Sequence, residues 1–89
     1  MINYKGYDIP NTIEEINIYV SDSITDNMNQ AIAPTIIYRF YNIKSNSKVA
    51  INTGITIEEF VNAKTDEEKQ NIINNFISAI EEFIDHFTE

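Results

Sequence analysis

The C-terminal third of this chain carries an apolar stripe too wide to be left in water, so the rest of the chain must supply a surface for it. Ile73, Phe76, Ile77, Ile80, Phe83, Ile84 and Phe87 recur at the a, d and e spacing of an amphipathic helix, with Ile72 beside them. A coiled-coil seam would use a and d alone, so a stripe of this width packs on a sheet or a bundle. Thr65-Asp66-Glu67-Glu68 is a capping box that opens the helix, predicted over residues 66–87. Thr56-Ile57-Glu58-Glu59 carries the same signature and predicts a short helix over 57–63, with Thr56 as N-cap and a break near Lys64.

Upstream of Gly54 the pattern is that of strands, over about residues 2–53. Ile2, Tyr4, Tyr7 and Ile9 around Lys5-Gly6 suggest a short strand or a tight hairpin, closed by Pro10 and Asn11. Ile16, Ile18, Val20 and Ile24 then recur with period two, with Asn17, Tyr19 and Ser21 on the opposite face and Asp22 interrupting the apolar one. Asp26-Asn27 reads as a turn, and Pro34 stops regular structure before the strongest strand signal, Thr35 to Ile43. Ser45-Asn46-Ser47 is a turn cluster, Val49 to Thr53 the returning arm, and Gly54 the end of the sheet. The fold class expected is α+β: an antiparallel sheet of three or four strands, a short helix, and the long C-terminal helix packed on one face. Tyr38 and Tyr41 fall on opposite faces of their strand, and helices over both sides would cover the two rings.

At 89 residues the chain fits a single domain, 1–89, with one modest core. It has no cysteine, hence no disulfide framework and no thiolate metal site, which fits a reducing compartment. Met1 to Pro10 has one lysine and no apolar run of signal-peptide length, and no run is long enough to span a membrane. The expected location is a bacterial cytoplasm.

Catalytic chemistry is poorly supplied. His86 is the single histidine, and Gly6 and Gly54 are the two glycines, which leaves no phosphate-cradling loop and no G-x-S-x-G elbow. His86 suits a helix C-terminus or a pairing with Glu82 one turn earlier. Asp22 and Asp26 lie four apart, yet the glycine and terminal glutamate of a calcium loop are missing, so a polar turn is the reading there. Glu14-Glu15, Glu58-Glu59 and Glu81-Glu82 are adjacent residues that diverge on either a helix or a strand, so they make poor acid–base dyads. No enzyme activity, cofactor or metal is expected.

Charge is the outlier. Fourteen acidic residues against six basic ones give −8, which disfavours direct binding to nucleic acid or to an anionic membrane. The charge is also uneven. Residues 1–56 hold five acids and four bases (net −1), and residues 57–89 hold nine acids and two bases (net −7). Glu58, Glu59, Asp66, Glu67 and Glu68 sit in first turns, where the helix dipole favours anions. Glu81, Glu82, Asp85 and Glu89 sit in the last turns, where it penalises them by roughly 0.3–1 kcal/mol apiece. Glu81 with Asp85, and Asp85 with Glu89, are also like-charge pairs at i,i+4, with no base within a turn. Asn74, Asn75 and Ser78 continue the same exposed face. Solubility alone can account for such a face. The functional alternative is that Glu81, Glu82, Asp85, Glu89, Asn74, Asn75 and Ser78 meet a basic partner.

A short acidic chain rich in Ile and Asn, opening Met1-Ile2-Asn3-Tyr4-Lys5-Gly6-Tyr7 and closing on an acidic helix, resembles the small anti-defence proteins of phages and mobile elements, anti-CRISPR proteins among them. The resemblance is one of overall character, without a shared motif that would carry residues across. It implies an inhibitor that binds a basic nucleic-acid-handling bacterial protein, such as a CRISPR effector or another nuclease. Two alternatives stand beside it: a self-associating structural or regulatory module, with a homodimer possible, and an immunity-type protein that neutralises a basic toxin.

Overall fold

The computed structural model describes residues 1–26, 34–42 and 46–88, with the side chains of 22–26, 42, 87 and 88 outside that description. The fold is α+β. Its first element is a tight hairpin of β1 (Ile2–Tyr4) and β2 (Tyr7–Ile9), in which Ile2 faces Ile9 and Tyr4 faces Tyr7. Lys5 and Gly6 form the two-residue turn, both at positive φ (52° and 91°), the geometry that matches the twist of paired strands. Asn3 holds the turn, its Oδ1 accepting from the Gly6 N–H while its Nδ2 donates to Asp8.

The segment read as a period-two strand on Ile16, Ile18, Val20 and Ile24 is instead a helix, α1 (Ile13–Asp26). Ile16 and Val20 are buried one turn apart, and Ile18, which a strand would place beside them, is 64% exposed. The helix starts at Thr12, whose Oγ1 accepts from the Glu15 N–H at 3.2 Å and donates to the Glu15 carboxylate at 2.9 Å. The Met1 amine also reaches Glu15, at 3.1 Å. This amine and the Thr12 hydroxyl hold the Glu15 carboxyl below its ordinary range.

With a helix in that position, no strand among the described residues joins the first hairpin to the second. Among the described residues the strands form two separate two-stranded antiparallel sheets instead of one sheet of three or four. The second comprises β3 (Thr35–Asn42) and β4 (Ser47–Thr56). Ile36, Tyr38 and Phe40 alternate onto its inner face; Tyr41 is 52% exposed, so this sheet is not covered on both sides. Gly54 does not end β4. Thr35 pairs with Thr56 and Ile37 with Asn52, so β4 bulges over Thr53, Gly54 and Ile55. Side chains stand in for the missing ladder bonds: Thr53 Oγ1 donates to the Ile36 carbonyl at 2.7 Å, and Asn52 Oδ1 accepts from the Gly54 N–H at 2.9 Å. Gly54 supplies the positive φ (75°) that the bulge needs.

The short helix α2 (Ile57–Asn62) follows directly, capped by Thr56 and tied to the start of β3 by the bond from the Ile57 N–H to the Pro34 carbonyl. The long helix α3 (Asp66–Thr88) starts on a complete capping box, with Glu68 N–H donating to Thr65 Oγ1 and Thr65 N–H to the Glu68 carboxylate. α1 lies against β3, and α3 lies against β4 and touches α1. One core joins Ile9 of β2, Ile16 and Val20 of α1, Ile36 and Tyr38 of β3, Ile51 and Ile55 of β4, Ile57 of α2, and Ile72, Phe76, Ile80 and Ile84 of α3. The buried line of α3 therefore runs through Ile72 at strict i,i+4 spacing. Ile73 and Ile77 are only half-buried on its flank, and Phe83 is 37% exposed. The residues at the chain's Asn27 turn position and at Ser45 lie outside the described residues, as does Glu89.

Candidate binding surface of the C-terminal helix

The fold divides the acidic face of α3 in two. On the side facing the first hairpin, Asp85 is engaged: Tyr4 Oη and Lys5 Nζ both donate to its Oδ1 at 2.6 Å. The Lys5 ammonium also lies 5.4 Å from the centre of the Tyr4 ring, within cation–π range. Lys5 and then Tyr4 hold the Asp85 carboxyl below its ordinary value, and the hydrogen bond to Asp85 pushes the Tyr4 hydroxyl up, with Glu81 adding to it through space. Asp85 looks unaccompanied along the helix, yet its counter-charge comes from a turn eighty residues earlier. It is a fastener between hairpin and helix.

That arrangement fixes the sign of a pH effect. The folded-state pKa of Asp85 is depressed, so its contribution is present above the ordinary carboxyl value of 3.8 and disappears as pH falls through the lowered one. Asp85→Asn should therefore melt below the parent at neutral pH, with the gap closing in strong acid. Circular-dichroism melts from neutral pH down to about 3 test this. A gap that stays constant with pH would mean that the carboxylate charge is not what fastens the hairpin.

The remaining residues of the predicted face are placed differently. Asn74, Asn75, Ser78 and Glu82 are exposed and Glu81 is half-buried. Asn75 and Glu82 belong to a second flank of α3, where two shallow depressions lie end to end. The first, of about 600 Å³, lies between α2 and α3, with Glu58, Glu59 and Glu68 among its walls, the amides of Asn62, Asn71 and Asn75, and Ile72 at its base. The second, of about 500 Å³, lies between the β4 bulge and the C-terminal half of α3, lined by Ile51 to Gly54 and by Ala79, Glu82, Phe83 and His86. Glu68, Ile72, Asn75, Ala79, Glu82 and His86 follow one another at alternating four- and three-residue steps, so the two depressions share one side of the helix.

These walls offer carboxylates, amides and apolar surface, which are groups that bind. Among the described residues no three His, Asp or Glu side chains come together as a metal site; the side chains of Asp22 and Asp26 lie outside them. No described helix is long and apolar enough to cross a membrane. The bulge groove went unread in the sequence, although Asn52-Thr53-Gly54 inside a strand pattern is a bulge signal that would have located it. No protein-family model, curated protein or solved structure searched matches this chain.

Proposed function

We propose that this protein is a non-enzymatic binding protein that inhibits a basic, nucleic-acid-handling bacterial protein by covering its cationic surface, in the manner of the small anti-defence proteins it resembles. The observation that carries this reading is the charge of residues 57–89, nine acids against two bases in the sequence, with eight of the acids on α2 and α3 and Glu58, Glu59 and Glu82 exposed. A field of one sign accelerates encounter with an oppositely charged partner and presents carboxylates where phosphates would lie. The partner-facing set on this reading is Glu82, Asn75, Glu58 and Glu59; Asp85 is set aside for its bond to the hairpin and Glu68 for its capping bonds to Thr65.

The test is capture of partners from nuclease-treated bacterial lysate by the parent chain and by a Glu58→Lys, Glu59→Lys, Glu82→Lys variant. Reversing Asp85 is avoided because a lysine there would oppose Lys5. The parent should retain a basic nucleic-acid enzyme at about 0.15 M salt, release it at about 0.5 M, and inhibit it when the two are purified. The variant, folded by circular dichroism, should do neither. Equal capture and inhibition by the variant would reject the acidic-surface reading. A salt-insensitive oligomer of the bait alone would favour self-association.

A further inference from the structure

We infer that the groove between the β4 bulge and the C-terminal half of α3 is the docking site for a cationic segment of another protein that inserts an apolar side chain beside Phe83. This deepens the reading above and rests on it. The groove is mainly apolar where it opens: Phe83 is 37% exposed at its edge, Ala79 is half-buried, and Ile51 closes the floor. Phe83 keeps about a third of its surface at the groove's edge, whereas Phe76, two turns earlier on the same helix, is fully buried. Partly exposed aromatic rings beside a groove are common anchors for a partner's apolar side chain.

The walls are already made. Thr53 Oγ1 donates to the Ile36 carbonyl and the Gly54 N–H donates to Asn52 Oδ1, so internal bonds brace the bulge that forms one wall. Gly54 leaves open space where a side chain would stand. The mouth from Ala79 to His86 spans seven residues of helix, roughly 10 Å, room for one large side chain and its neighbours.

Charge selects the occupant. Glu82 stands at the groove, and Glu58, Glu59 and Glu68 stand farther along the same flank. A second copy docking here would bring this acidic flank against another chain of net charge −8, a like-charge arrangement that opposes self-pairing. A segment with an apolar anchor between arginines or lysines meets both features at once.

The probe is a short synthetic peptide with one leucine between two runs of arginine, titrated into the isotope-labelled full chain and followed by backbone amide shifts. Saturable shifts should centre on Asn52, Gly54, Ala79 and Phe83, and a twin peptide with glycine in place of leucine should bind about tenfold more weakly. Phe83→Ala should weaken the leucine peptide by a similar factor, and Glu82→Lys should weaken both peptides. Shifts confined to the Glu58–Glu59 depression, equal binding of the two peptides, or equal binding by Phe83→Ala would overturn the inference. So would a dimer in sedimentation that Phe83→Ala dissolves, since a second copy would then fill the groove. Failure here is separable from failure of the inhibitor reading: a Phe83→Ala chain that still captures its target, while the triple charge reversal does not, rejects only the groove.

Discussion

Replacing Phe76 by alanine should remove a large part of this protein's stability, while the same replacement at Phe83 should cost clearly less. Phe76 is fully buried at the middle of the buried line of α3. Its ring meets Tyr38 edge-on, with centroids 6.0 Å apart and an interplanar angle of 86°. Truncating a buried phenylalanine removes its transfer free energy and leaves a cavity, a loss of about 3–5 kcal/mol. Domains of this size have about 5–15 kcal/mol in all. At about 4–8 °C per kcal/mol, the melting temperature should fall by roughly 12–40 °C. Phe83, seven residues on and 37% exposed, has less buried surface to lose and its position at the surface lets the site relax, so it should cost roughly 1–2 kcal/mol. Urea melts of the two variants, read by helical ellipticity, make the comparison. Similar losses at both positions would mean that the core does not lie along Ile72, Phe76, Ile80 and Ile84.

The contrast between these phenylalanines shows where sequence patterns stop. A wide stripe on α3 is legible from spacing, but spacing treats Phe76 and Phe83 alike, because both fall within it. Which of them is buried depends on the direction from which β4 and the first hairpin approach. The misreading of residues 13–26 has a more local cause. Ile16, Ile18 and Val20 satisfy period two, and Ile13, Ile16 and Val20 satisfy the helical period equally well. The arbiter was in the chain: Thr12-Ile13-Glu14-Glu15 repeats, residue for residue, the Thr56-Ile57-Glu58-Glu59 that announces α2, and in the structure both threonines cap their helices. A capping box should outrank a short alternation, because it accounts for backbone donors that must be satisfied somewhere.

The acidic cluster fails to read for a different reason. Helix-dipole and i,i+4 rules judged Asp85 unfavourable from its own helix, and within that helix they were right. Its compensation comes from Lys5, in a turn that requires positive φ at both central positions and so fixes where the lysine projects. Long-range pairings of this kind leave no periodic trace. Part of the predicted acidic face is thus used by the fold, and Glu82 and Asn75, of the same predicted set, stay exposed on the flank that runs along the two depressions.

Alkali should destabilise this protein, with Tyr38 a principal contributor to the loss. Its ring is 3% exposed among Tyr19, Phe40 and Phe76, and its hydroxyl donates to the Asp8 carbonyl at 2.8 Å. Burial, with smaller contributions from Tyr19 and Asp8, pushes this phenol up to about 12 from an ordinary value of 10.0. The unfolded chain therefore releases the proton near pH 10 while the folded chain retains it. Stability is intact below that pH and falls as pH rises toward 12, by at most roughly 2–3 kcal/mol for a shift of this size. In a spectrophotometric titration the Tyr38 phenol should ionise above the ordinary tyrosine range, together with loss of the helical signal. Tyr38→Phe separates the charge from the packing. It keeps the ring but leaves the Asp8 carbonyl without its donor, so at neutral pH it should be less stable by about 1–3 kcal/mol. It has no proton to lose, however, and the parent's advantage over it should shrink as pH climbs above 10. If parent and variant instead lose stability in parallel through that range, the alkaline limb belongs to other groups, and the Tyr38 hydroxyl is not held neutral by the fold.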